Sequence, residues 1–225
     1  MQPRGVDAGA RRIISWAMQE VDALAVGRAF FDRVADSWDD MACHPPERVA
    51  SVLTQIGVGR GERVLDVGCG TGVLEPGLSA AVGGSGSVLA VDLSPRMIAV
   101  AIERRKLPNV AYRVADFLGL DPDAAACAGG FDLVVAYSAF PHFFDRGAFF
   151  EKAASLLAQG GKLAIAHIEG REAINAFHDA GGPPSLALPP VAELATLARQ
   201  AGLEPILERD DDYYILVAGL NRKRA

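Results

Sequence analysis

The sequence predicts an α/β protein: a seven-stranded, mostly parallel sheet with helices on both faces and the last strand antiparallel. Three observations carry this reading. From Arg63 onward short apolar segments alternate with helical ones, as in a parallel sheet covered on both sides. Before residue 60 no strand pattern occurs, so that part reads as helical. Near the C-terminal end two strands follow one another across the short acidic turn Asp210–Asp212, forming a hairpin on an otherwise parallel sheet.

The elements follow in order. Ile13, Ile14, Ala17, Met18, Val21, Leu24 and Ala25 recur at helical spacing within residues 11–41, and the aromatic stretch Phe30–Trp38 follows. Pro45–Pro46 breaks the chain, and Glu47–Ile56 is a further amphipathic helix. Strands are expected at Arg63–Val67, Ser87–Asp92, Val110–Ala115, Phe131–Tyr137, Lys162–Ile168, Glu204–Arg209 and Tyr213–Leu220. Between the first strands lie the helices Val73–Val82, closed by Gly83–Gly84, and Pro95–Lys106, opened by Ser94 as N-cap. Phe149–Ala158, a helix through Arg171–His178, and Leu194–Ala201 complete the set. The chain therefore divides into a helical lid or cap over residues 1–60 and a sheet-bearing part over 61–225, within one structural domain. The basic tail Arg222–Arg224 reads as a solvated terminus.

Composition bounds the function. The chain has 225 residues, half of them hydrophobic and 22% charged, which suits one packed domain. A net charge of −6 argues against a dedicated nucleic-acid binder, whose affinity rests on neutralising phosphates. Cys43, Cys69 and Cys127 are too few and too scattered for a disulfide framework or a CxxC zinc site. No apolar run reaches the roughly 18 residues of a membrane span, and no signal-peptide pattern opens the chain. A soluble, cytoplasmic protein with no membrane partner is expected.

The strongest local signal is the segment RVLDVGCGTG, Arg63–Gly72. A strand enters a loop with glycine at 68, 70 and 72, and a helix follows. Such a turn lets a nucleotide-like ligand approach the backbone at the sheet's C-terminal edge. Asp66 stands directly before the loop, and Asp92 ends the next strand, where a carboxylate can accept from ribose hydroxyls. A dinucleotide site would want Gly-x-Gly-x-x-Gly and would set a pyrophosphate against Asp66. The spacing here instead favours a ligand with a ribose and a cationic amino-acid end, as in S-adenosylmethionine.

This segment resembles the first motif of the class I S-adenosylmethionine-dependent methyltransferases, and Val88–Met97 resembles the second. The similarity continues through Val114–Phe117, Phe131–Ser138 and Leu156–Leu163, and spans roughly Phe30 to Leu220. It implies a Rossmann-like fold with a reversed last strand. It also implies a cofactor set. Asp66, Gly68, Cys69, Gly70 and Gly72 would hold the methionine part, with Cys69 as inert filler. Asp92 would bind the ribose, Leu93 and Met97 would pack near the adenine, and Asp116 and Phe117 would contact that ring. Tyr137 would sit beside the sulfonium. Phe31–Asp39 resembles the lid helix of the ubiquinone and menaquinone methyltransferase branch, which would lay Trp38 over the cofactor. The quinone substrate does not carry over, because that branch lacks the histidines found here.

Three of the four histidines follow the fourth and fifth strands: His142, His167 and His178. Arg171, Asn175 and His178 fall on one helix face. Three readings stay open. Each histidine may be read as an ordinary polar residue at a loop or strand end. Alternatively His142, assisted by Tyr137 and His167, is a general base. In the third reading His142, His167 and His178 bind a divalent metal that orients the acceptor. The function expected is methyl transfer to a small-molecule acceptor. The alternatives are an S-adenosylmethionine-binding accessory protein without transfer activity and, disfavoured by glycine spacing, an NAD-dependent oxidoreductase. The loop 181–190 is stiffened by proline and is a candidate wall of the acceptor pocket. Nothing in the sequence sets an oligomeric state.

Overall fold

The computed structural model describes residues 23–124, 126–181 and 183–220. The helical expectation over residues 11–22 and the tail Arg222–Arg224 lie outside them. Seven strands form one sheet: β1 Arg63–Val67, β2 Ser87–Asp92, β3 Val110–Val114, β4 Phe131–Tyr137, β5 Leu157–His167, β6 Leu203–Asp210 and β7 Tyr214–Leu220. Their spatial order is β3-β2-β1-β4-β5-β7-β6. The first five pair in parallel, while β7 runs antiparallel to both β5 and β6. After β1 the chain steps to β2 and β3 on one side, then returns to β4 on the other. The C-terminal ends of β1 and β4 therefore flank the switch point, where a crevice opens in sheets of this kind.

Alternation along β4 shows why both faces are covered. Leu133 and Val135 join one buried cluster with Val52 and Ile56 of α3 (Pro46–Ile56) and Leu78 of α4 (Glu75–Val82). Val134 and Ala136 point the other way. They meet Phe149 and Phe150 of α6 (Arg146–Leu156) and Leu194 of α8 (Val191–Gln200). Helix α5 (Pro95–Arg104) starts as the sequence indicates, with Ser94 Oγ accepting from Met97 N at 3.0 Å. α6 starts three residues before the expected Phe149. Its N-cap is Asp145, whose carboxylate accepts from Ala148 N at 2.8 Å.

Ahead of the sheet, residues 23–34 are helical (α1), followed by a 3-10 turn at Ala35–Ser37 and the short α2 at Trp38–Met41. This stretch lies on α5. Ala35 is fully buried with Met97 and Val100, and Phe31, Val34 and Trp38 pack around them. Three aspartates reinforce the contact. Asp32 accepts from Ser94 Oγ at 2.5 Å, and Asp36 pairs with Arg96 at 2.5 Å. Asp39 accepts from Thr71 Oγ1 and from Arg104 and Arg105 at 3.0 and 3.3 Å. α7 (Arg171–Asp179) follows β5 and completes the set of described elements. No described helix is long and apolar enough to cross a membrane.

Candidate active site

β1 ends in the glycine loop, and the loop's shape depends on glycine. Gly68 and Gly70 adopt φ of +72° and +55°, and a Cβ at Gly68 would lie 2.6 Å from the Ala139 Cβ. Gly68 and Cys69 both donate to the Val91 carbonyl, at 2.8 and 3.0 Å, which docks the loop on β2. Asp92 then ties two segments together. One oxygen accepts from Gly70 N at 2.9 Å and the other from Ser94 N at 2.8 Å. Burial raises the Asp92 pKa, and these two N–H bonds oppose the rise.

A cavity opens over this loop, enclosing about 1070 Å³ of empty space, part of it open to solvent. Gly68, Cys69, Gly70, Asp92, Leu93, Met97, Asp116 and Phe117 line it. Trp38 and Phe31 come from the segment packed on α5, and Tyr137, Ser138, His142, Phe143, Pro184 and His44 share the same wall. The sequence-derived positions thus meet in one place, with exceptions. Gly72 is absent from the wall. Asp66, expected to meet an amino-acid end directly, is 1% exposed and lies beneath the loop. It faces Glu75, which is also fully buried, and Asp66 Oδ1 and both Glu75 carboxyl oxygens lack partners. Burial pushes the Asp66 pKa to about 7 and that of Glu75 well above the usual carboxylate range. As Asp66 ionises near neutrality, the pair therefore keeps one proton, held by Glu75. The buried Cys69 thiol is pushed up by desolvation and by Glu75, Asp92 and Asp66, so it remains a thiol.

The histidines gather but do not form the expected metal site. Among the described residues no three His, Cys, Asp or Glu side chains are placed to hold an ion. The geometry explains this. His142 Nδ1 donates to the Pro184 carbonyl at 3.0 Å, which fixes the ring and leaves Nε2 as its acceptor nitrogen. The His142 and His178 rings meet edge to face, 5.2 Å apart, and His167 packs against Tyr214. Burial lowers the pKa of His142 to about 4 and that of His167 to about 3, the latter helped by the other three histidines. His167 Nε2 and His178 Nδ1 are buried without partners. Neither residue lines the cavity, so His167 does not stand where a base would touch an acceptor. The shared helix face is also divided: Arg171 pairs with Asp210 at 3.1 Å, and Asn175 exchanges two hydrogen bonds with Leu188. Those bonds, with Leu186 N donating to Pro141 O at 2.7 Å, fix the loop that brings Pro184 to the wall.

Sequence reasoning passed over His44. Its Nδ1 lies 2.8 Å from the Tyr137 hydroxyl, bridging residues 93 positions apart. The available signal was its place at the Pro45–Pro46 break, directly after the aromatic stretch that covers the loop. Beside Tyr137, Ser138 has φ +53°, the sole positive value at a described non-glycine residue.

Comparison with known proteins agrees with this geometry. Residues 64–161 match the family model of a methyltransferase domain. No curated protein matches the sequence. Among solved structures, the chain is similar to a SAM-dependent methyltransferase from Aquifex aeolicus, at 23% identity and TM-score 0.66, covering 84% of this chain and 98% of that one. It is also similar to the CcbJ methyltransferase of Streptomyces caelestis, at 19% identity and TM-score 0.65, over 87% and 99% of the two chains. A third is phosphoethanolamine N-methyltransferase 2 of Haemonchus contortus, solved with S-adenosyl-L-methionine. The identity is 22% and the TM-score 0.64, over 79% of this chain and 44% of that one. The chain thus carries a methyltransferase domain over residues 64–161, on a fold shared with solved S-adenosylmethionine-dependent methyltransferases.

Proposed function

We propose that the chain transfers the methyl group of S-adenosylmethionine to a small-molecule acceptor in the cavity over the glycine loop. The carrying observation is that one cavity is lined both by the glycine loop and by aromatic and imidazole side chains. The residues fit the cofactor. Gly68 and Gly70 leave a bare backbone cradle, Asp92 lines it as a ribose acceptor, and Met97, Asp116 and Phe117 surround the place for an adenine. When bound, S-adenosylmethionine supplies a sulfonium-activated methyl group and its own leaving group. The protein's part is then to orient, to exclude water and to receive a proton where the acceptor carries one.

Trp38 and Phe31, on the segment packed against α5, cover the cavity, and the described residues 23–41 act as its cap. His142, with its Nδ1 fixed by Pro184, and Tyr137 present polar groups to the acceptor. The net charge of −6 favours a small molecule over nucleic acid as acceptor. The test is calorimetric. S-adenosylhomocysteine should bind the wild type and bind Asp92→Asn at least about 10-fold more weakly, through loss of charge-assisted hydrogen bonds. Tight NADH binding without S-adenosylhomocysteine binding would refute the proposal. A protein that binds the product but transfers no label from methyl-labelled cofactor to any small molecule would be an accessory protein instead.

A further inference from the structure

We infer that His44 and Tyr137 form a proton relay serving a neutral acceptor with a weakly acidic X–H group, a phenol or a thiol. This rests on the methyltransferase reading above and adds the acceptor's chemical class. Two separate elements build the relay: His44 stands between α2 and α3, and Tyr137 ends β4. Their 2.8 Å hydrogen bond and their shared place on the cavity wall put a proton path beside the loop. Ser138, held at φ +53° with its N–H on the Ala166 carbonyl at 2.9 Å, fixes the strand end that carries Tyr137.

The charges nearby favour a neutral acceptor. Arg48, the guanidinium nearest Tyr137 in charge terms, gives its N–H groups to the Ile168 and Asp212 carbonyls and stacks on Tyr213. Arg28, on the wall contributed by α1, faces Asp32 at 3.7 Å. Arg48 is thus committed to backbone carbonyls and Arg28 has a carboxylate beside it, so neither is reserved for an anionic acceptor. An acceptor that enters neutral must give up its proton as the methyl arrives. The X–H proton passes to Tyr137 Oη while the tyrosine proton passes to His44 Nδ1. The X–H electron pair stays on X, and the proton ends on the His44 imidazolium.

His44 is the better terminus than His142. Burial lowers the His44 pKa, and Asp39 of α2 opposes that fall by favouring a positive imidazole. Against His142 lie the rings of Phe31 and His178, with no carboxylate to stabilise a charge. The other groups facing the pair are His167 on β5, Asp66 on β1 and Glu169 after β5.

Two measurements test the relay. In protein carrying 15N-histidine, long-range 15N–1H spectra assigned with His44→Gln should show His44 Nδ1 unprotonated and hydrogen-bonded, and Tyr137→Phe should shift that nitrogen. A protonated Nδ1, or a signal indifferent to Tyr137→Phe, overturns the relay. The second uses para-substituted phenols and thiophenols as acceptor probes with methyl-labelled cofactor. His44→Gln should cost about 100-fold in kcat on the least acidic phenol and only a few-fold on the most acidic thiophenol, since an acceptor already ionised needs no base. A uniform loss across the series overturns the relay, and a wild type that methylates neither series overturns the acceptor class. S-adenosylhomocysteine titration of the same samples keeps the cases apart: absent binding refutes the underlying methyltransferase reading, whereas retained binding confines the failure to the relay.

Discussion

Glu75→Gln alters one buried side chain beneath the glycine loop and leaves the surface untouched, so its effect isolates the carboxyl pair. In the wild type, Asp66 and Glu75 both have pKa values raised by burial, Asp66 to about 7. A raised carboxyl pKa means that the native state binds a proton more tightly than the unfolded chain does. The stability it contributes is fully present below the unfolded value near 4 and is lost as pH climbs through the folded value. At about 1.4 kcal/mol per unit, a shift of about three units on Asp66 costs up to about 4 kcal/mol by pH 8. Glutamine at 75 keeps a neutral donor facing Asp66 and removes Glu75's own titration. Asp66 still titrates, and the alkaline decline flattens by the share that Glu75 contributed. Urea melts followed by circular dichroism from pH 4.5 to 8.5 should show variant and wild type close together at the acid end. At pH 8 the variant should be more stable by about 2 kcal/mol, half of that ceiling. Two parallel curves across the whole range would refute the shared-proton account.

Two further substitutions probe the loop and the segment above it. Gly68→Ala should destabilise by about 2–3 kcal/mol, because alanine at φ +72° is strained and its Cβ meets Ala139. Thermal melts of the Gly68→Ala/Ala139→Gly double variant should recover the collision but not the strain; full recovery, or none, would contradict this division. Asp39→Asn removes the charge that Arg104 and Arg105 share and should weaken S-adenosylhomocysteine binding by about 1 kcal/mol, given the partial exposure of all three groups. Calorimetry in 0.05 and 0.5 M sodium chloride checks it: the wild type should lose affinity with salt, and the variant should not.

The sheet was legible because its strands are short apolar runs bounded by turn residues, and a parallel sheet buried on both faces demands that texture. The glycine loop was legible for a related reason: positive φ at 68, 70 and 72 leaves few alternatives to glycine. Helix starts were less clear. Asp145 caps α6, but the apolar pattern begins only at Phe149, so periodicity alone sets the start too late. Side-chain direction was the least accessible quantity. A strand's period of two fixes that Asp66 and Val67 face opposite ways, but not which of them faces the cavity. His44 escaped because its local mark, the Pro45–Pro46 break, says nothing of a partner 93 positions away. The histidine set shows the same limit. Proximity at strand ends was correctly anticipated, whereas ring orientation, which decides between ligation and edge-to-face packing, depends on a carbonyl in the loop carrying Pro184.

The position of β7 bears on how the molecule is made. It is the last of the seven described strands in chain order, yet it sits inside the sheet, paired along Lys162–His167 on one flank and Leu203–Asp210 on the other. Until it arrives, β6 has no strand to pair with and β5 exposes a bare edge. The nascent polypeptide therefore waits with an open slot beside β5, and a chain interrupted before Tyr214 would be prone to pairing with other chains.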